Sequence, residues 1–171
     1  MVEQLNYEVL KKINDIEIRH YDSFIIAKVD GYGDRGFNIL FNFISGKNTA
    51  TSEIAMTSPV ISQEIAMTAP VLSERESIAF VMPSKYSLNS LPKPIDKRIR
   101  IIEIPERILA ALKFSGRWTT SLFNKKSQQL LTSLNEEKIK VKGVVFTMRY
   151  SSPFTPWFLR RNEVAVEIIF N

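Results

Sequence analysis

Apolar and polar residues alternate over several short stretches of this chain, the period of a half-buried strand. Residues 7–13, 16–21, 24–29, 77–82, 100–104, 108–114, 144–150 and 163–170 read as strands. Asn14-Asp15, Asp22-Ser23, Asp30-Gly31, Pro83, Pro105-Glu106 and Ser115-Gly116 punctuate them as turns. Two stretches change period. Phe37, Leu40, Phe41 and Ile44 follow at helical spacing, with Asp34 as N-cap and Gly46 as stop, which predicts a helix over 34–46 with an aromatic inner face. Phe123, Leu130, Leu131 and Leu134 predict a second helix over 119–135, capped by Thr119 or Thr120.

Residues 53–60, Glu-Ile-Ala-Met-Thr-Ser-Pro-Val, recur eleven positions later as residues 64–71 with one substitution. Ile54 and Met56, then Ile65 and Met67, alternate as in strands. Pro59 and Pro70 favour strand ends, and Ile61-Ser62-Gln63 between the copies suits a hairpin or a bent double strand.

A larger repetition contains this one. Strand, strand, helix, strands occurs twice, and a shift of 85 residues sets Lys28 on Lys113 and Gly31 on Gly116. The connection 84–94 divides halves of about 7–90 and 95–171. The order predicts one α+β domain over 1–171: an antiparallel sheet curled toward a barrel, with two helices related by a pseudo-twofold axis.

Composition narrows the chemistry. With 44% hydrophobic and 24% charged residues the chain is globular rather than disordered. The absence of cysteine excludes disulfides, zinc–thiolate sites and cysteine nucleophiles. Residues 1–15 hold no apolar run of a signal peptide, and no stretch spans a membrane, so a cytoplasmic location is the default expectation. The net charge is +5, densest at Lys125-Lys126, Lys138-Lys140-Lys142 and Arg160-Arg161. No nucleic-acid recognition motif accompanies it, and no nucleic-acid partner is expected.

His20 shares its side of the strand with Ile16 and Ile18, where the bland reading is a packed histidine. Met56, Met67 and Met82 offer thioethers or core packing. Phe37, Phe41, Phe154 and Trp157 are flat surfaces for a planar ligand or filling for the core. Arg160 and Arg161 meet either ligand carboxylates or Glu163. Glu163 and Glu167 form no catalytic dyad, and Gly31-Tyr32-Gly33 reads as a strand-to-helix turn.

Further stretches carry a resemblance. Residues 7–10 (Tyr-Glu-Val-Leu), 16–21 (Ile-Glu-Ile-Arg-His-Tyr), 43–48 (Phe-Ile-Ser-Gly-Lys-Asn), the doubled Ile-Ala-Met-Thr-X-Pro-Val phrase, 80–86, 91–94, 114–116 and 160–164 (Arg-Arg-Asn-Glu-Val) together resemble the SOUL, or p22-like, haem-binding protein family over almost the whole chain. The resemblance implies a distorted antiparallel barrel flanked by two helices, similar to GyrI-like effector-binding domains. It implies an apolar cleft for haem or another tetrapyrrole between the first helix, at Phe37 and Phe41, and the 153–160 loop, with Phe154, Trp157, Phe158 and Arg160. It also implies His20 as a candidate axial ligand. Where family members carry methionines on the helix, this chain has Phe37 and Phe41, and Pro156 stands at a basic loop position. The implied function is a soluble tetrapyrrole carrier or buffer, taking a small hydrophobic ligand. The alternative is a GyrI-like module for other amphipathic ligands, with hydrolase activity in some relatives.

Overall fold

A computed structural model describes residues 2–32, 35–64 and 76–171. In chain order the elements are β1 (Glu3–Gln4), β2 (Glu8–Ile13), β3 (Ile16–Tyr21), β4 (Phe24–Asp30), α1 (Arg35–Ile44), β5 (Thr57–Ser58), β6 (Val60–Glu64), β7 (Glu76–Val81), β8 (Arg100–Ile104), β9 (Arg107–Phe114), α2 (Thr120–Glu136), β10 (Lys140–Val141), β11 (Phe146–Arg149), a 3-10 turn (Trp157–Leu159) and β12 (Asn162–Ile169). The fold is mixed, with antiparallel sheet and two helices. The predicted strands match closely, because turn residues bound each alternating run.

The chain forms two compact units, Met1–Leu5 with Ser23–Pro105, and Asn6–Asp22 with Glu106–Asn171. In the first, β6, β7, β4 and β8 lie side by side, all antiparallel, and β1 runs parallel to β5. Ile39, Leu40, Phe43 and Ile44 of α1 join Val29, Ile78 and Phe80 in the core. Gly36 lets the helix approach the sheet: a Cβ there would stand 2.5 Å from Ile78 Cγ2. The buried face is therefore turned from the one expected. Phe43 takes the inner position, while Phe41 is 49% exposed. The predicted N-cap, Asp34, lies outside the described residues.

In the second unit the order is β2, β3, β9, β12, β11, again antiparallel, and β10 also pairs with β12. Leu130 and Leu134 of α2 pack with Ile16, Ile18, Leu112, Val164 and Val166. Thr119 is the cap, its Oγ1 accepting from the Leu122 N–H at 3.2 Å.

Contacts group the chain otherwise than into the halves 7–90 and 95–171. Hairpin β2–β3 belongs with the C-terminal strands because β3 pairs with β9, and β8 belongs with β4. Each unit thereby repeats one topology, β8-β4-β7-β6 with α1 and β3-β9-β12-β11 with α2. The 85-residue shift survives in the register. The pairs Ile25↔Glu103, Ile26↔Ile102 and Ala27↔Ile101 map onto Ala110↔Ile18, Ala111↔Glu17 and Leu112↔Ile16. Gly31 and Gly116, matched by the same shift, both hold positive φ, +82° and +140°.

Two expectations change. The first copy of the repeated phrase is not one strand: Ile54 lies outside β5 and is buried, its N–H donating to the Ile44 carbonyl at 2.7 Å. Residues 65–71 of the second copy lie outside the described residues, and the expected strand pair with them. Pro59 separates β5 from β6, as a residue without an N–H does. Ile61, Ser62 and Gln63 are not a turn but pair with Ala79, Ile78 and Ser77 of β7. The loop after α1 is organised by buried Asn48, whose Nδ2 donates to the Phe43 and Ser52 carbonyls and whose Oδ1 accepts from the Ala50 and Ser52 N–H groups. The second change concerns the barrel. Among the described residues β2 pairs only with β3 and β8 only with β4, so the sheet is open at these strands.

Candidate functional site

Arg19 and Glu163 are buried in the second unit, at 1% and 0% exposure. An uncompensated charge at such depth costs several kcal/mol, so their partners decide the arrangement. Arg19 grips Glu163 with two parallel bonds, Nη1 to Oε2 at 2.7 Å and Nη2 to Oε1 at 2.8 Å. Its Nε donates to Glu17 at 2.8 Å, and Nη1 also to the Tyr21 hydroxyl at 3.1 Å. Arg161 Nη2 adds bonds to Glu163 Oε1 at 3.0 Å and to the Tyr7 hydroxyl at 3.1 Å. The Arg19 guanidinium lies 4.0 Å from the Tyr7 ring centre and that of Arg161 lies 3.9 Å from Tyr150.

Burial alone would raise the pKa of Glu163; the Arg19 bonds and charge, joined by Arg161, outweigh it and hold the carboxyl below its ordinary value. Burial pushes the Tyr21 hydroxyl up to about 12 against the pull of Arg19. Burial likewise raises Tyr150, whose hydroxyl has no hydrogen-bond partner among the described residues. Two guanidiniums face two carboxylates in this cluster, which fits a neutral, structural knot.

Beside it stands the 151–161 loop. Pro153 and Pro156 stiffen it, and Trp157–Leu159 makes one 3-10 turn. Phe154 is 96% exposed, Phe158 58% and Trp157 48%. Arg160 closes the loop on itself, Nε donating to the Thr155 carbonyl and Nη2 to that of Pro153, both at 2.9 Å. Its guanidinium also lies 4.5 Å from the Trp118 ring centre, with that of Arg149 at 5.0 Å. Trp118 Nε1 donates to Asn162 Oδ1 at 2.7 Å.

The other predicted residues are placed as follows. In the first unit Phe37 stacks on Phe41, centroids 6.2 Å apart, and meets Phe80 edge-on at 5.1 Å. Phe37 is half-buried and Phe41 open. Met82 is core, Met56 packs against the core, and Met67 lies outside the described residues. His20, in the second unit, is not enclosed by the apolar face: its side chain is 30% exposed, with Nε2 3.3 Å from Glu106 Oε2 and Nδ1 3.9 Å from Asp22 Oδ1. The predicted set thus divides between the units, Phe37 and Phe41 in one, His20, Phe154, Trp157, Phe158 and Arg160 in the other.

Sequence reading missed Arg19, Tyr21, Trp118 and Tyr150. The available signal was an Arg inside a strand opposite two isoleucines, with Glu163 in another strand. A second signal was the charge. From Arg107 through Asn162, both included, there are eleven Lys and Arg, and only Glu136 and Glu137 are acidic. The second unit holds fourteen Lys and Arg against nine Asp and Glu, and the first nine against nine, so the charge is not scattered evenly.

Comparison with known proteins agrees with the topology. The crystallised C-terminal domain of EcmrR superposes with a TM-score of 0.64 at 7% identity, over 95% of this chain and 98% of that one. A hydrolase from Listeria innocua superposes with 0.61 at 10% identity, over 94% of both. These likenesses concern fold alone. In sequence, the chain is 30% identical to mouse "Heme-binding protein 2" and 28% to the human one, each over 88% of this chain and 80% of the relative. The model of the SOUL heme-binding protein family matches residues 2–167, and the chain belongs to that family.

Proposed function

We propose that the protein binds haem or another tetrapyrrole and serves as its carrier or buffer. The family match over residues 2–167 carries this reading. The side chains present are compatible with such a ligand. Phe41 on α1 and Phe154, Trp157 and Phe158 on the loop each present a flat apolar surface to solvent. Phe41 belongs to the first unit and the loop aromatics to the second. Arg160, committed to the loop's carbonyls, supports the site by holding the loop in shape.

Burial of apolar surface, at roughly 25 cal/mol per Å2, is the main source of affinity in this account. His20 contributes little, because an axial bond from Nε2 would have to displace its contact with Glu106. One chain holds a single histidine, so bis-histidine ligation within it is excluded. The shared strand order and register of the two units support an origin by duplication.

The GyrI-like alternative is another amphipathic ligand. Glu163 already faces two guanidiniums, so a lipophilic cation would rest on aromatic faces rather than on this carboxylate. The experiment is a haem titration of the purified protein in competition with a panel of aromatic cations. A saturable Soret shift resistant to the cations is expected; binding of the cations with no Soret shift would refute the haem reading.

A further inference from the structure

Four large apolar side chains stand open within six positions of the second unit's 153–160 loop. Phe154, Trp157 and Phe158 are joined by Leu159, 65% exposed. Patches of this kind mark a surface that meets an apolar partner. The loop is held in shape by Pro153, Pro156 and the two bonds from Arg160, so little ordering accompanies its burial. Arg117, exposed, holds its guanidinium 5.3 Å from the Trp157 ring centre. The whole net charge of the chain lies in this unit.

We propose that this loop docks onto bilayer surfaces bearing anionic headgroups. Phe154, Phe158 and Leu159 enter the boundary between headgroups and acyl chains, and Arg117 pairs with lipid phosphate. Apolar insertion and positive charge are the two signals that together hold a protein on such a surface. A spanning helix is not involved: among the described residues none is long and apolar enough to cross a membrane.

Single-stranded nucleic acid fits less well. Bases stack on open aromatic faces; Phe154 offers one, but a guanidinium lies over the Trp157 ring and Phe158 meets that ring edge-on at 87°. Leu159 offers no stacking surface. The inference does not depend on the haem reading.

The test is flotation of the full chain with vesicles of phosphatidylcholine alone and of phosphatidylcholine with about 30% phosphatidylserine. Wild type is expected to float with the anionic vesicles at low salt and not with the neutral ones, and Trp fluorescence to shift to the blue. Leu159→Ser and Arg117→Glu, checked for folding by circular dichroism, should each weaken partition about fivefold or more. Both positions lie outside the proposed haem contacts, so a haem titration run in parallel reports on that reading separately. Equal partition to both vesicle types, no partition to either, or unchanged partition of the folded variants overturns the proposal. So does tight binding of a single-stranded oligonucleotide by wild type that ignores the vesicles.

Discussion

Glu163 keeps its charge at zero exposure because Arg19 and Arg161 share its two oxygens. Removing one partner of a buried pair leaves the others unpaired, at about 3–5 kcal/mol. Glu163→Gln is therefore expected to lower unfolding free energy by that amount in denaturant titrations. The depressed pKa adds a pH signature. A carboxyl held below its unfolded value stabilises the fold above that value, roughly 4.3. The contribution is lost as pH falls toward the folded pKa. Wild type should lose stability on acidification below about pH 4.5, and Glu163→Gln should show a shallower loss over the same range. The Arg161–Glu163 pair was one of two sequence readings for that arginine. Arg19 was not legible, because alternation assigns faces by polarity. In β3, Ile16 and Ile18 are buried on one face while Arg19 and Tyr21 are buried on the other.

At the scale of elements, α2 begins where Thr119 caps it, and the turn before it depends on Gly116. That residue has φ of +140°, and a Cβ on it would come within 2.6 Å of Leu122 Cδ2. Thr119→Ala is expected to cost about 1 kcal/mol through loss of the bond to the Leu122 N–H. Thr120→Ala, one residue inside the helix, should cost a few tenths at most. A larger cost for Thr120→Ala than for Thr119→Ala in thermal unfolding would move the cap to Thr120. Strands and helices were largely legible, since period and turn residues agree. The first copy of the repeated phrase was not. Its alternation is that of a strand, but Ile54 is engaged by the end of α1 and Pro59 breaks the ladder. The buried face of α1 was also misread, because a glycine at 36 attracts no attention in an apolar count, yet a Cβ there would stand 2.5 Å from Ile78 Cγ2.

In the whole molecule, two units repeat one topology, each completed by a strand from the other half of the sequence. The repeat of strand register was legible in the 85-residue shift. The exchange of β3 and β8 was not, because a hairpin leaves no mark of which sheet it joins. The candidate ligand residues follow the same division: the aromatic side chains were legible, while their exposure was set by packing. The central claim is that haem is held by apolar contact and only marginally by its iron. The direct measurement is a set of haem titrations on wild type, His20→Ala and Phe41→Asp, with circular dichroism to confirm folding. His20→Ala should retain the Soret shift and change affinity by less than about tenfold, or about 1.4 kcal/mol, whereas Phe41→Asp should abolish binding. A folded His20→Ala protein that has lost the Soret shift, beside a Phe41→Asp protein that binds as wild type does, would contradict the account.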